Sequence, residues 1–307
     1  MNVAVLSGGV GGARFVQGVV SALPADKVTV IGNVGDDVEV LGLHVSPDLD
    51  SIMYALAGLN DEERGWGRAG ETWRVLESVA ALHGETWFQL GDLDLGVHLV
   101  RTQALRTGEP LSRVTVQLAS ALGLETRLLP ATDDRLRTWI ATDEGELPFQ
   151  EWFVARGHRD EVNGVRFEGA ESATAAAGVL DAIEAADVLL LAPSNPYVSI
   201  GPILAVRAIR DALAARSVPC VAVSPLIGGR AVKGPADRML ARLAGGTSPR
   251  HLAGCYEGLI DGLVIDEADA ADVGGLGDVR PILARTLRVD ADARRRLAEA
   301  ALGAVPA

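Results

Sequence analysis

Lysine is nearly missing from this chain. Of 307 residues only Lys27 and Lys233 are lysines, and the remaining basic side chains are arginines scattered against 41 acids, for a formal net charge of −13. Nucleic-acid phosphates are held by clustered Lys and Arg, so a duplex is excluded as the main partner. Cysteine is scarce too. Cys220 and Cys255 are too few for a disulfide framework and lack the CxxC or Cys/His spacing of a zinc site, which fits a reducing compartment. No apolar run approaches the ~18 residues that span a bilayer. Met1 leads directly into Val3-Ala4-Val5-Leu6 without a basic leader, which predicts a soluble, unexported, cytoplasmic protein with no membrane partner.

Several familiar motifs are also absent. A dinucleotide fingerprint counted from Gly9-Val10-Gly11 would need a third glycine where Arg14 stands, and Gly32-Asn33 ends the next apolar run where a ribose-binding acid belongs. A Walker A loop needs a lysine that is not there. No Gly-x-Ser-x-Gly elbow or Cys/His pair supports covalent catalysis, and none of the five histidines has metal or triad spacing. His98, on the helix after Asp94, is placed to face the same rim, although a structural role accounts for each histidine.

Glycine, by contrast, is plentiful at 35 residues without a collagen-like period, so the excess belongs in turns and close approaches. The length allows two ordinary domains or one large α/β unit with an insertion. Val3–Leu6 reads as a strand, Ser7 to Gly12 as a glycine loop, and Phe15, Val16, Val19, Val20 and Leu23 as a helix face. Further strands are expected at Val28–Ile31, Thr86–Leu90, Val188–Ala192, Val218–Val223 and Leu259–Ile265. Helices are expected after Asp50 or Ser51 as N-cap, over Ile203–Leu213, and near the C-terminus. Between Arg137 and Gly169 the runs Thr138–Ile140, Phe149–Val154 and Val165–Phe167 read as a small antiparallel unit. The predicted fold is therefore α/β. A doubly wound, mostly parallel Rossmann-like sheet with helices on both faces spans 1–136 and 170–307, with a β-rich insertion at 137–169. Ligands then belong at the carboxyl ends of the strands.

Candidate chemistry gathers in the loops at that rim. Gly8, Gly9, Gly11 and Gly12 let backbone N–H groups approach a phosphate beside a helix N-terminus, although a tight strand-to-helix turn gives the same letters. Three loops bring Asp36 and Asp37, Asp48 and Asp50, and Asp92 and Asp94. Singly, each reads as an Asx-turn or a cap. Together beside a phosphate they call for a hard divalent cation such as Mg²⁺. Ser194-Asn195-Pro196 with Ser199-Ile200-Gly201-Pro202 is a rigid loop that holds amide and hydroxyl groups toward a base or phosphate. Ser224-Pro225-Leu226-Ile227-Gly228-Gly229 repeats the theme.

These elements, with Asn33-Val34-Gly35-Asp36-Asp37, Ser46-Pro47-Asp48-Leu49-Asp50-Ser51 and Gly91-Asp92-Leu93-Asp94, resemble in order the 2-phospho-L-lactate transferase family, CofD or FbiA, from Met1 to about Asp266. The resemblance implies a step in coenzyme F420 biosynthesis. A phospholactyl or phosphoenolpyruvyl group passes from a guanosine-diphosphate-activated donor, lactyl- or enolpyruvoyl-2-diphospho-5'-guanosine, to the ribityl hydroxyl of the deazaflavin Fo, releasing GMP with Mg²⁺. It implies a homodimer, guanosine diphosphate at the glycine, Asn195 and Gly228 loops, and Asp50 against Fo. On this likeness the substrate-binding residues are Gly8, Gly9, Gly11, Gly12, Asn33, Asp48, Asp50, Gln89, Asp92, Asp94, Ser194, Asn195, Ser199, Gly228 and Gly229. Asp36, Asp37 and Asp50 are the metal candidates, and Asp50 and Asp37 the catalytic ones. Two positions depart from the pattern, Gln89 where the family has a basic Fo contact and Leu93 where it has arginine. The alternative is a CofD-like regulator that binds a nucleotide or sugar nucleotide without transfer.

Overall fold

A computed structural model describes residues 1–304. In chain order the elements are β1 (Val3–Ser7), α1 (Gly9–Ala22), β2 (Val28–Gly32), β3 (Val38–Val40), β4 (Leu43–Val45), α2 (Pro47–Leu56), α3 (Arg74–Ala81), α4 (Asp92–Arg106), α5 (Leu111–Ala121) and β5 (Arg127–Pro130). There follow β6 (Arg137–Thr142), β7 (Gly145–Pro148), β8 (Gly164–Glu168), α6 (Val179–Glu184), β9 (Val188–Leu191), α7 (Gly201–Ala205), α8 (Arg207–Ala214) and β10 (Cys220–Val223). The chain ends with β11 (Leu226–Ile227), β12 (Arg230–Ala231), α9 (Ala236–Leu243), α10 (Pro249–Cys255), β13 (Gly262–Asp266), β14 (Arg280–Ala284) and α11 (Ala291–Leu302).

Seven strands pair in the order β14-β13-β10-β9-β1-β2-β5, all parallel. The central strands β1, β9, β10 and β13 are buried along their whole length. That fits their unbroken apolar sequences, because a parallel sheet is covered on both faces. Strand order reverses between β1 and β9, so the crevice of this fold opens there. Helix α1 packs between α2 and α11 on one side, and α6 packs on α8 on the other. Gly18 permits the first contact, since a Cβ there would run into the backbone carbonyl of Arg294 on α11. The order β7-β6-β8 forms a separate antiparallel sheet.

The structure changes several sequence expectations. Thr86–Leu90 is not a strand. Phe88 and Leu90 instead pack with Leu95 onto the β3-β4 hairpin, in a small apolar cluster outside the main sheet. Phe149–Val154 is helical, a single π-turn over Glu151–Ala155. Phe149, Trp152 and Phe153 stand at i, i+3 and i+4, and Trp152 is fully buried, so helical spacing prevails over aromatic β-propensity. The helix expected at Ile203–Leu213 breaks at Val206, whose ψ is 101°. Asp50 lies inside the first turn of α2, while Ser46 holds the cap position. Strands β5 and β14 carry too little pattern to read. Pro281 in β14 is tolerated because that strand is an edge.

Candidate functional site

The crevice between β1 and β9 is stapled by one hydroxyl. Ser194 Oγ donates to the Gly8 carbonyl at 2.7 Å and accepts from the Gly8 N–H at 3.4 Å. Gly8 is glycine for a steric reason: a Cβ there would collide with the Asp48 carboxylate, lie 2.9 Å from Ser199 Cβ and 3.1 Å from Asn33 Cβ. Four elements thus converge on one point. Gly9 starts α1 at φ +67°, and its backbone N–H helps to hold the Asp48 carboxyl down. Gly11 and Gly12 serve packing, since side chains there would meet the Pro193 carbonyl and the hydroxyls of Ser7 and Ser194.

Around Gly8 lies a buried acidic pocket. Asn33 Nδ2 donates to Asp36 Oδ1 at 3.1 Å, to Asp48 Oδ2 at 2.9 Å and to the Val198 carbonyl at 3.2 Å, which ties the loops after β2 and β9 to α2. Gln150, from the turn after β7, reaches in to the Asp36 carboxylate at 3.3 Å. Asp37 accepts from the Ser46 hydroxyl at 2.8 Å and lies 2.9 Å from His44 Nε2, while its other oxygen is buried with no partner. Neither Asp36 nor Asp48 has a cationic neighbour. Burial, then Asp48 and Asp37, push the Asp36 carboxyl well above its usual range. Burial raises Asp48 to about 6, against the opposing pull of the Asn33 and Gly9 donors.

Asp50 belongs to a different neighbourhood. Both its oxygens accept from Arg101, which is fully buried. His98 Nδ1 is 3.3 Å from Arg101 Nη1, His98 Nε2 is 3.3 Å from Asp94, and Asp94 accepts from the Tyr54 hydroxyl. Burial disfavours the Arg101 charge, but the Asp50 carboxylate more than offsets it and holds the guanidinium above its usual value. Burial likewise works against Asp94, yet hydrogen bonds from His98 and Tyr54 keep its carboxyl low. The composite is a buried polar chain between α2 and α4, in which Arg101 compensates Asp50 while His98 Nε2 and Arg101 Nε have no hydrogen-bond partner.

The other expected residues divide. Ser199 faces Gly8 and Gly9. Asn195 accepts from the Tyr197 and Val198 N–H groups of its own loop and donates its amide to Met239 Sδ on α9. Asp92 caps α3 through the Arg74 and Val75 N–H groups, away from Asp94. Gln89 and Leu93 are exposed. Gly228 and Gly229 donate their N–H groups to the Asp269 carboxylate at 3.0 and 2.9 Å, and Glu71 takes the N–H groups of Leu93 and Asp94 at the start of α4. Three glycine-bearing loops therefore direct amides at carboxylates of the chain itself.

Arg101, Tyr54, His44 and Gln150 were not candidates on sequence grounds. One signal was available: Asp94, His98 and Arg101 stand at i, i+4 and i+7, a polar stripe on an otherwise apolar helix, and Asp50 and Tyr54 form the matching i, i+4 pair on α2. His44 and Gln150 carry no such signal, because only the fold brings them to the pocket.

Among the described residues no three His, Cys, Asp or Glu side chains are preassembled to hold a metal ion. Mg²⁺ is commonly held by one or two carboxylates with water and substrate phosphates completing the shell. The acidic pocket fits that pattern through its hard oxygen donors, its uncompensated charge and the unpartnered Asp37 oxygen. Asp50 fits it poorly, since Arg101 already neutralises it.

The family model described as 2-phospho-L-lactate transferase CofD matches residues 3–301. A phosphoenolpyruvate transferase from Nocardia farcinica is 46% identical over 294 residues, covering 92% of this chain and 88% of the relative. Another from Streptomyces griseus is 44% identical over 310 residues, covering 98% of each chain. A UPF0052-family protein from Bacillus halodurans has a solved structure that superposes over 98% of both chains with a TM-score of 0.64 at 19% identity, a likeness of fold.

Proposed function

The chain belongs to the 2-phospho-L-lactate transferase CofD family of transferase enzymes, and from that premise we propose that it moves a phosphoenolpyruvyl or phospholactyl group from a guanosine-diphosphate-activated donor to the ribityl hydroxyl of the deazaflavin Fo, releasing GMP, in F420 biosynthesis. The names of its relatives favour the enolpyruvyl donor. The observation that carries the reading is the pair of neighbourhoods on α2, an uncompensated acidic pocket at Asp36, Asp37 and Asp48 beside the compensated Asp50–Arg101 chain. Phosphoryl transfer needs charge neutralisation on one side and a positioned acceptor on the other.

Bound Mg²⁺ would neutralise diphosphate charge, and Asp36, Asp37 and Asp48 would hold it. Asp48 and the diphosphate then compete for the Gly9 N–H, so donor and metal binding loosen the carboxyl pair together. Arg101 fixes both oxygens of Asp50, whose remaining lone pairs orient the attacking hydroxyl. Asn33 aligns the two acid-bearing loops. The protein that results is a small-molecule transferase, and no observation favours the non-enzymatic regulator.

The test is incubation with Fo, each activated donor and Mg²⁺, with mass spectrometry of the product. GMP release that depends on Fo is expected. Near-normal turnover by Asp50→Ala at saturating Mg²⁺ would sink the acceptor-side assignment, and release without Fo would sink the transfer itself.

A further inference from the structure

One turn beyond the acidic pocket, α1 carries the opposite charge. Arg14 lines a cleft between α1, α2 and the 60–67 loop, together with Ser51, Ala55 and Trp66. Lys233 meets the same cleft from the segment after β12, donating Nζ to the carbonyl of Gly65 in the cleft wall at 2.7 Å. From the loop after β14, Arg288 extends over the first turn of α1, with Nη2 3.6 Å from where a Cβ of Gly11 would sit.

Among the described residues none of these three cations pairs with a carboxylate. Arg288 donates only to the Thr286 carbonyl, and the Nε atoms of Arg14 and Arg288 are buried without partners. Asp61, which also lines the cleft, pairs with Arg64, and Glu62 pairs with Arg294, which together with Arg14 holds its carboxyl low. In a chain of net charge −13 this grouping runs against the overall balance. Burial and then Arg14 and Arg294 depress Arg288 to about 10, and burial and Arg14 depress Lys233. Arg14 and Arg288 are half-buried and Lys233 is exposed, and guanidinium groups with unpartnered N–H donors favour an anion that joins them.

We propose that Arg14, Arg288 and Lys233 form an oxyanion subsite that receives an acid group of the donor, its carboxylate or a phosphate. Planar guanidinium groups suit either oxyanion. Arg14 lies about 9 Å along the helix axis from Gly8, so one elongated polyanion reaches both the subsite and the acidic pocket. The assignment to the donor rests on the transferase reading above, whereas binding of a bare oxyanion does not.

The experiment is calorimetric titration of the full chain, without Mg²⁺ or acceptor, using inorganic pyrophosphate and pyruvate as phosphate-only and carboxylate-only probes. At least one should bind saturably and more weakly as salt rises. Arg14→Met and Arg288→Met should each weaken that binding about tenfold or more, Arg288→Lys should restore part of it, and Lys27→Met should change nothing. Melting temperatures of the ligand-free Met variants should hold or rise, because repulsion is relieved. Binding of pyrophosphate alone assigns the site to phosphate, and of pyruvate alone to the carboxylate. The proposal is overturned if neither probe binds the folded wild type, if both Met variants bind like wild type, or if both melt lower, which would make the arginines structural supports. Fo-dependent GMP release is scored separately, so failure here and failure of the transferase reading are distinguishable.

Discussion

Two clusters of buried charge sit at α2 and have opposite states of completion. On one side Arg101 holds both oxygens of Asp50, Tyr54 donates to Asp94 and His98 lies between the two carboxylates, with His98 Nε2 and Arg101 Nε buried without hydrogen-bond partners. On the other, Asp36 and Asp48 face each other around Asn33 with only neutral hydrogen-bond donors, while Asp37 lies beside His44 and within the fields of Arg101 and Arg137. The first cluster is part of the fold's own stability. The second is a cost that the fold carries, with Asp36 and Asp48 pushed up by burial, and on the proposed function a cation would relieve it.

Breaking each cluster should therefore read out differently. If Asp37 and Asp48 hold the proposed Mg²⁺, Asp37→Ala or Asp48→Ala should lower Fo-dependent GMP release about thousandfold or more, with ligand-free stability unchanged or higher. A variant that lost stability while retaining turnover would reverse the comparison. Arg101→Ala leaves Asp50 buried without its counter-charge, and urea unfolding should show a loss of about 3–5 kcal/mol. Gly8→Ala inserts a methyl between Asp48, Ser199 and Asn33, at a backbone conformation any residue adopts, φ −151°. Displacing those groups should lower kcat/KM about a hundredfold with a modest change in melting temperature.

Acidity sharpens the contrast further. A carboxyl whose folded value is raised binds its proton more tightly in the native state, so its stabilisation is complete below the ordinary value and lost as pH rises. For Asp48 that window runs from 3.8 to about 6, joined by Asp36. The ligand-free protein should thus gain about 1 kcal/mol for each pH unit lowered within it, until the carboxylates held low, such as Asp94, begin to protonate below 3.8. Saturating Mg²⁺ should flatten that dependence, because metal and proton compete for the same oxygens. Melting curves across pH with and without Mg²⁺ measure both. The smallest effect is expected at Gln89→Arg, an exposed site, where KM for Fo should shift by a few-fold at most.

Much of the fold was legible because the central strands are short unbroken apolar runs and the helices between them repeat at 3.6 residues. The failures have a common cause. Thr86–Leu90 has strand composition, yet Phe88 and Leu90 bury against the apolar face of the β3-β4 hairpin and do not pair with either of its strands. Phe149–Val154 has aromatic residues, yet their spacing suits one buried helical turn. In the site, the acidic loops and the glycine–Asn–Ser rim were readable as residue types at strand ends. What those residues bond to was not, because Asp48 at Gly9, Glu71 at α4 and Asp269 at Gly228 are each brought to their amides from elsewhere in the chain.

By itself the sequence determined the layered α/β order and the family, since hydrophobic period and glycine punctuation are local and survive without tertiary contacts. Only the tertiary structure decided which aspartates stay uncompensated, that Arg101 claims Asp50, and that Arg14, Arg288 and Lys233 meet. Charge pairing depends on distances between residues far apart in the chain, and at those distances the buried environment, not the letter, sets what each carboxylate or guanidinium can do.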